Sequence, residues 1–83
     1  MAIPREMRLS VLTAIVDHWK GARYGPTVEE IRQAVGLNHR SSVQWHITNL
    51  IQEGYLERVP RKHRSVHATK RGEALVELLN GDT

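Results

Sequence analysis

Residues 27–54 read TVEEIRQAVGLNHRSSVQWHITNLIQEG, and their spacing decides the fold. Thr27 is a strong helix N-cap. Glu30, three residues on, completes a capping box in which hydroxyl and carboxylate each accept from the other residue's backbone N–H. Glu29 adds negative charge at the positive end of the same helix. Val28, Ile31, Ala34 and Val35 form one apolar stripe at helical spacing, and Gly36 supplies the left-handed residue that stops the helix after about two turns. The connection Gly36-Leu37-Asn38-His39-Arg40 leads to a second stripe, Val43, Ile47, Leu50 and Ile51, which ends at Gly54. Two helices joined by a short glycine-containing turn have the organisation of a helix-turn-helix, whose second helix enters the DNA major groove. Structural helix bundles use such hairpins too, so the flanking sequence has to decide.

Upstream, Val11, Leu12, Ile15, Val16 and Trp19 share one helical face. They predict a first helix that starts after Pro4 and is closed by Gly21 and the Gly25-Pro26 pair. Downstream, Tyr55 to Val59 and Ser65 to Ala68 are rich in β-formers and read as two short strands. Between them lie Pro60, Arg61, Lys62, His63 and Arg64, which makes a basic hairpin. Thr69 then caps a last helix with Ala74, Leu75, Leu78 and Leu79 on one face, ended by Asn80-Gly81. The expected architecture is an α+β winged helix-turn-helix: a three-helix core, a two-stranded β-hairpin wing and a C-terminal helix. It forms one domain over residues 1–83, with the helix-turn-helix at about 27–54, the wing at about 55–68 and the last helix at about 70–80.

Composition limits the function classes. The 83 residues carry 40% hydrophobic and 25% charged residues, which suits one small globular domain. There is no cysteine, which excludes disulfides, thiolate metal sites and cysteine nucleophiles and favours a reducing cytoplasm. No apolar run approaches the roughly 18 residues of a membrane span, and no signal-peptide core follows Met1. The net charge of +3 is unevenly placed. Arg58, Arg61, Lys62, Arg64, Lys70 and Arg71 fall between positions 58 and 71 with no carboxylate among them, while the rest of the chain is net acidic. A focused cationic region on an acidic body suits a polyanion that docks in one orientation, and nucleic acid leads that class.

Gly25-Pro26-Thr27-Val28-Glu29-Glu30-Ile31, Val35-Gly36-Leu37, Ser41-Ser42-Val43, His46-Ile47, Leu50 and Glu53-Gly54-Tyr55-Leu56 together resemble the DNA-binding domain of LexA-type SOS repressors. The resemblance runs over about positions 8–68 and implies a winged helix-turn-helix. It also implies that His39, Ser41, Ser42, Gln44 and Trp45 read the operator and that the basic wing holds phosphates. The ending Thr69-Lys70-Arg71-Gly72-Glu73-Ala74-Leu75 looks instead like the post-wing helix of MarR-type regulators. The chain therefore reads as a stand-alone regulator without the self-cleavage and dimerisation domain of an SOS repressor.

The residues support specific roles. Trp45 falls opposite the core stripe of its helix, where it makes a base-edge or thymine-methyl contact, joins a protein interface, or packs beneath the wing. Gln44, Asn49 and Gln52 carry amides that pair with adenine, and Gln44 is nearest the reading end. Ser41 or Ser42 is a candidate N-cap. Arg40, Arg61, Lys62, His63 and Arg64 are expected on the DNA backbone or in the minor groove, with Arg58 and Lys70 as further cations. His39, His46, His63 and His67 are placed on or near the DNA side, where acidification strengthens phosphate binding. His63 and His67 lack a third ligand, so no metal is assigned, and no cofactor or catalytic residue is assigned either.

The expected partner is double-stranded DNA, bound sequence-specifically by a repressor-like cytoplasmic regulator that associates with the nucleoid, with a homodimer through the C-terminal helix. A second reading is a winged-helix adaptor that binds protein through Trp45 and the Leu75, Leu78 and Leu79 face.

Overall fold

A computed structural model describes residues 3–58 and 66–80. The elements run α1 (Ile3–Gly21), α2 (Val28–Val35), α3 (Arg40–Gln52), β1 (Leu56–Arg58), β2 (Val66–Ala68) and α4 (Lys70–Asn80). Pro4 lies inside the first turn of α1 rather than ahead of it, a position where the helix needs no backbone donor. Val11, Leu12, Ile15 and Val16 of α1 meet Ile31 of α2 and Val43, Ile47 and Leu50 of α3 in one core, which Leu56, Val66 and Val76 close from the wing and α4.

Local chemistry sets the helix ends. The Glu30 N–H donates to Thr27 Oγ1 at 3.0 Å and the Thr27 N–H donates to Glu30 Oε1 at 2.8 Å, which is the expected capping box. Gly36 takes φ 78° and stops α2. Within α2, Ile31 is buried and Ala34 exposed, so the inward stripe is narrower than the spacing suggests. The N-cap of α3 is His39, with no side-chain cap bond, and Ser41 and Ser42 already lie inside the first turn. Neither serine is the cap. At the other end the Tyr55 N–H donates to the Leu50 carbonyl at 2.9 Å and the Gly54 N–H to the Ile51 carbonyl at 3.0 Å, a paired closure that requires Gly54 at φ 86°.

The wing strands pair antiparallel with Leu56 opposite Ala68, Glu57 opposite His67 and Arg58 opposite Val66. Tyr55 does not join β1, because its N–H closes α3 and its carbonyl accepts from the Thr69 N–H at 3.0 Å. Val59 and Ser65, also expected in strands, lie outside the described residues. The Thr69 hydroxyl caps α4, accepting from the Gly72 N–H at 3.1 Å and donating to the Gly54 carbonyl at 2.6 Å. The face α4 buries is not Ala74, Leu75, Leu78 and Leu79. Gly72 and Val76 are buried and Leu75 half-buried, while Leu78 and Leu79 are 72% and 45% exposed. Gly72 decides this rotation: a Cβ there would overlap the Tyr55 carbonyl oxygen and lie 3.3 Å from the Ala68 Cβ, so only glycine seats α4 against the wing.

Candidate nucleic-acid interface

The buried side of α3 consists of Val43, His46, Ile47 and Leu50. At about 100° per residue, Ser41, Gln44, Trp45, Thr48 and Gln52 then line up on the opposite side, and all five are exposed. This outward row holds hydroxyls, amides and one indole, but no carboxylate to repel phosphate. Of the residues expected to read bases, Ser41, Gln44 and Trp45 stand in the row and His39 is exposed at its head. Ser42 is half-buried on the flank. The Asn49 side-chain amide donates to the Trp45 carbonyl at 2.9 Å, one turn back, and spends one donor on its own helix.

Trp45 is 54% exposed, but it is not free. The guanidinium carbon of Arg8, on α1, lies 5.5 Å from the centroid of the indole. The His46 ring meets it edge-on at 5.0 Å. Arg8 in turn donates to Glu53 Oε2 at 2.8 Å, an ion pair across 45 positions of sequence. Sequence reasoning missed Arg8. Its one signal was that Arg8 falls in step with Val11, Leu12 and Ile15, so a cation interrupts the apolar face of α1.

His46 corrects another expectation. It is 6% exposed, belongs to the inner side of α3, and its Nδ1 has no hydrogen-bond partner among the described residues. Burial, helped by the charge of Arg8, lowers its pKa from the usual 6.5 and favours the neutral ring. His67 is only half-buried, with its ring edge-on to Trp19 of α1 at 6.4 Å.

At the head of α3, Arg40 keeps 71% of its side chain exposed, and its Nε lies 3.9 Å from Glu29 Oε1. Glu29 is the hub of this corner. It accepts from Arg32 through both oxygens and from Gln33 Nε2 at 2.9 Å. These hydrogen bonds hold its carboxyl at about 2, against a usual 4.5, and the same hydrogen bonding, aided by its charge, raises the Arg32 guanidinium further. Arg32 also donates to the Leu37 carbonyl at 3.0 Å, bracing the turn between α2 and α3. Arg40 shares Glu29 with a stronger claimant and stands mostly in solvent at the N-terminus of the outward helix.

The cations between positions 58 and 71 do not all gather at the wing. Arg58 is exposed on β1, whereas Arg71 lies on α4 with its guanidinium 4.8 Å above the Tyr55 ring. Arg61, Lys62, His63 and Arg64, the expected backbone contacts, lie outside the described residues. Among the described residues no helix is long and apolar enough to cross a membrane, and no three His, Asp or Glu side chains come together in a group that could hold a metal ion.

Comparison with known proteins agrees with this geometry. The LexA DNA binding domain family model matches residues 5–65. The LexA repressor of Limosilactobacillus reuteri is 37% identical over 70 residues, which are 84% of this chain and 34% of that protein. The LexA repressor of Pediococcus pentosaceus is 43% identical over 65 residues, 78% of this chain and 31% of that protein. The chain thus spans about a third of the length of the curated relatives it matches. Among solved structures, an O-methyltransferase (NcsB1) from neocarzinostatin biosynthesis, crystallised with S-adenosyl-L-homocysteine, is similar with a TM-score of 0.62 and 25% identity. The match covers 93% of this chain and 24% of that one.

Proposed function

The chain belongs to the family of LexA DNA-binding domains, and on that footing we propose that it binds double-stranded DNA sequence-specifically as a repressor-like transcriptional regulator. Ser41, Gln44 and Trp45 on α3 read base edges in the major groove, with His39 and Ser42 at the margin of the contact. Arg40 and the wing cations Arg61, Lys62, His63 and Arg64 hold the backbone or minor groove and fix register. The observation that carries this reading is the outward row of α3, which is exposed, free of carboxylates and set on a rigid core. This is a binding module rather than an enzyme, and it resides with the nucleoid in the cytoplasm. Methyl transfer belongs to the structural neighbour, of which the match covers only 24%.

Exposed Leu78 and Leu79 favour a second element of the reading, a homodimer formed through α4. Two copies on paired half-sites bring the specificity that one small module lacks.

Selection of bound sequences from a random duplex pool, followed by a salt titration on the winner, tests the assignment. A recurrent motif is expected, with log affinity falling against log salt at about −0.9 per neutralised phosphate. A pool that stays random, or an affinity indifferent to salt, rejects it. Sedimentation of the chain and of a Leu78→Glu, Leu79→Glu variant tests the dimer. A wild-type chain that sediments as a monomer with and without DNA removes it.

A further inference from the structure

Resting on the DNA-binding reading above, we infer that Arg8 of α1 is a positioning residue for base recognition: it holds the Trp45 indole in one orientation, and the indole so held reads a thymine methyl group in the major groove.

Four observations lead there. The Arg8 guanidinium lies 5.5 Å from the indole centroid, in the range of a cation–π contact. Glu53, at the C-cap of the helix that carries Trp45, holds the same guanidinium by an ion pair at 2.8 Å. Arg8 is thereby fixed to the middle and to the C-terminal end of the reading helix. The buried His46 ring meets the indole edge-on at 5.0 Å and supplies the floor. Trp45 nevertheless stays 54% exposed in the outward row, so its remaining surface faces whatever α3 docks against.

An exposed aromatic ring ordinarily samples several rotamers, and ordering it on binding opposes affinity. A ring already pinned presents the same shape to every sequence and discriminates better. Arg8 itself is a poor phosphate contact, since its charge is engaged by Glu53 and its side chain is 23% exposed, against 71% for Arg40. Its role runs through the ring. With one face covered by the cation, the indole offers an apolar edge, and the apolar group that the major groove presents is the thymine methyl.

The test uses the duplex selected by the wild-type chain and copies carrying uracil in place of each thymine, which deletes only the methyl. Wild type is expected to lose roughly fivefold or more in affinity at one uracil position. Trp45→Ala, Arg8→Ala and Glu53→Gln should each flatten that preference, and the Arg8→Ala, Trp45→Ala double variant should match Trp45→Ala alone. Glu53→Gln keeps the guanidinium charge, so its salt slope should equal that of wild type. In the DNA-free protein, indole 15N relaxation should show the Trp45 ring more mobile in Arg8→Ala and Glu53→Gln. That readout does not depend on recognition.

Uniformly weaker binding in Arg8→Ala, with a salt slope smaller by about one contact, would make Arg8 a phosphate ligand and overturn the inference. So would a mobile indole with base preference intact, or an unchanged uracil profile in Trp45→Ala. If the wild-type chain selects no sequence at all, the DNA-binding reading falls first, a failure visible without any variant.

Discussion

The indole Nε1–H of Trp19 donates to the Val66 carbonyl at 2.8 Å, fastening the last turn of α1 to the returning strand of the wing. Trp19→Phe keeps an aromatic ring in place and removes the donor. It should lower stability by about 1 kcal/mol and speed amide exchange in β2 more than in α2. Denaturant unfolding and hydrogen exchange measure the two effects. Uniform acceleration across the chain would mean that the bond is no special tether of the wing.

Thr27 and Glu30 satisfy each other's backbone donors at the start of α2. Thr27→Ala should cost about 1 kcal/mol, and Thr27→Ser, which retains the acceptor, only a fraction of that. Thermal unfolding of both variants checks the order.

Alanine at a helical position normally stabilises relative to glycine, but at Gly72 the sign should reverse. The added methyl collides with the Tyr55 carbonyl, and a clash with backbone is not relieved by a rotamer change. A loss of about 1–3 kcal/mol is expected. Gly36→Ala meets open space and is opposed only by its φ of 78°, so it should lose about 1 kcal/mol. Equal losses at the two sites would show that α4 shifts freely on the wing.

His46 makes stability depend on pH. Burial lowers its folded-state pKa below the ordinary 6.5, so near and below that pH the unfolded chain binds the proton more readily. This contribution is complete above the unfolded value and is lost as pH falls through the folded one. As pH falls below 6.5, wild type should lose stability progressively, and His46→Leu should show a flatter profile. Urea midpoints across that range provide the check. Because the ring sits in the core, acidification acts through it on folding and not on phosphate attraction.

Arg40 and Gln44 should separate by the kind of information they carry. Arg40→Ala is expected to weaken all duplexes alike and to shrink the salt slope by about 0.9. Gln44→Ala should leave the slope unchanged and relax preference at one or two base pairs, by about 1–3 kcal/mol each. Parallel sequence selections and salt titrations distinguish them. A changed slope in Gln44→Ala would reassign it to the backbone.

Much of this molecule was legible before its structure. Thr27, Gly36, Gly54 and Thr69 mark element boundaries because capping and chain reversal act over three or four residues, a range that sequence spacing captures. Faces were harder. The apolar residues of α4 allow more than one inward side, and the choice of Val76 over Leu78 and Leu79 depends on Gly72 meeting Tyr55, a contact made through tertiary packing. His46 falls in step with Val43, Ile47 and Leu50, yet its polar type suggested the outer side. Arg8 was out of reach altogether, because its partners Trp45 and Glu53 are set by where α1 crosses α3 and not by any local signal.

The tight seat of Gly72 on Tyr55, with Thr69 bridging to Gly54, leaves α4 no slack at the root of the ribbon. A load applied at Leu78 and Leu79 would therefore pass through Tyr55 and Thr69 into the paired strands and the closing turn of α3, because α4 has no room to absorb it alone.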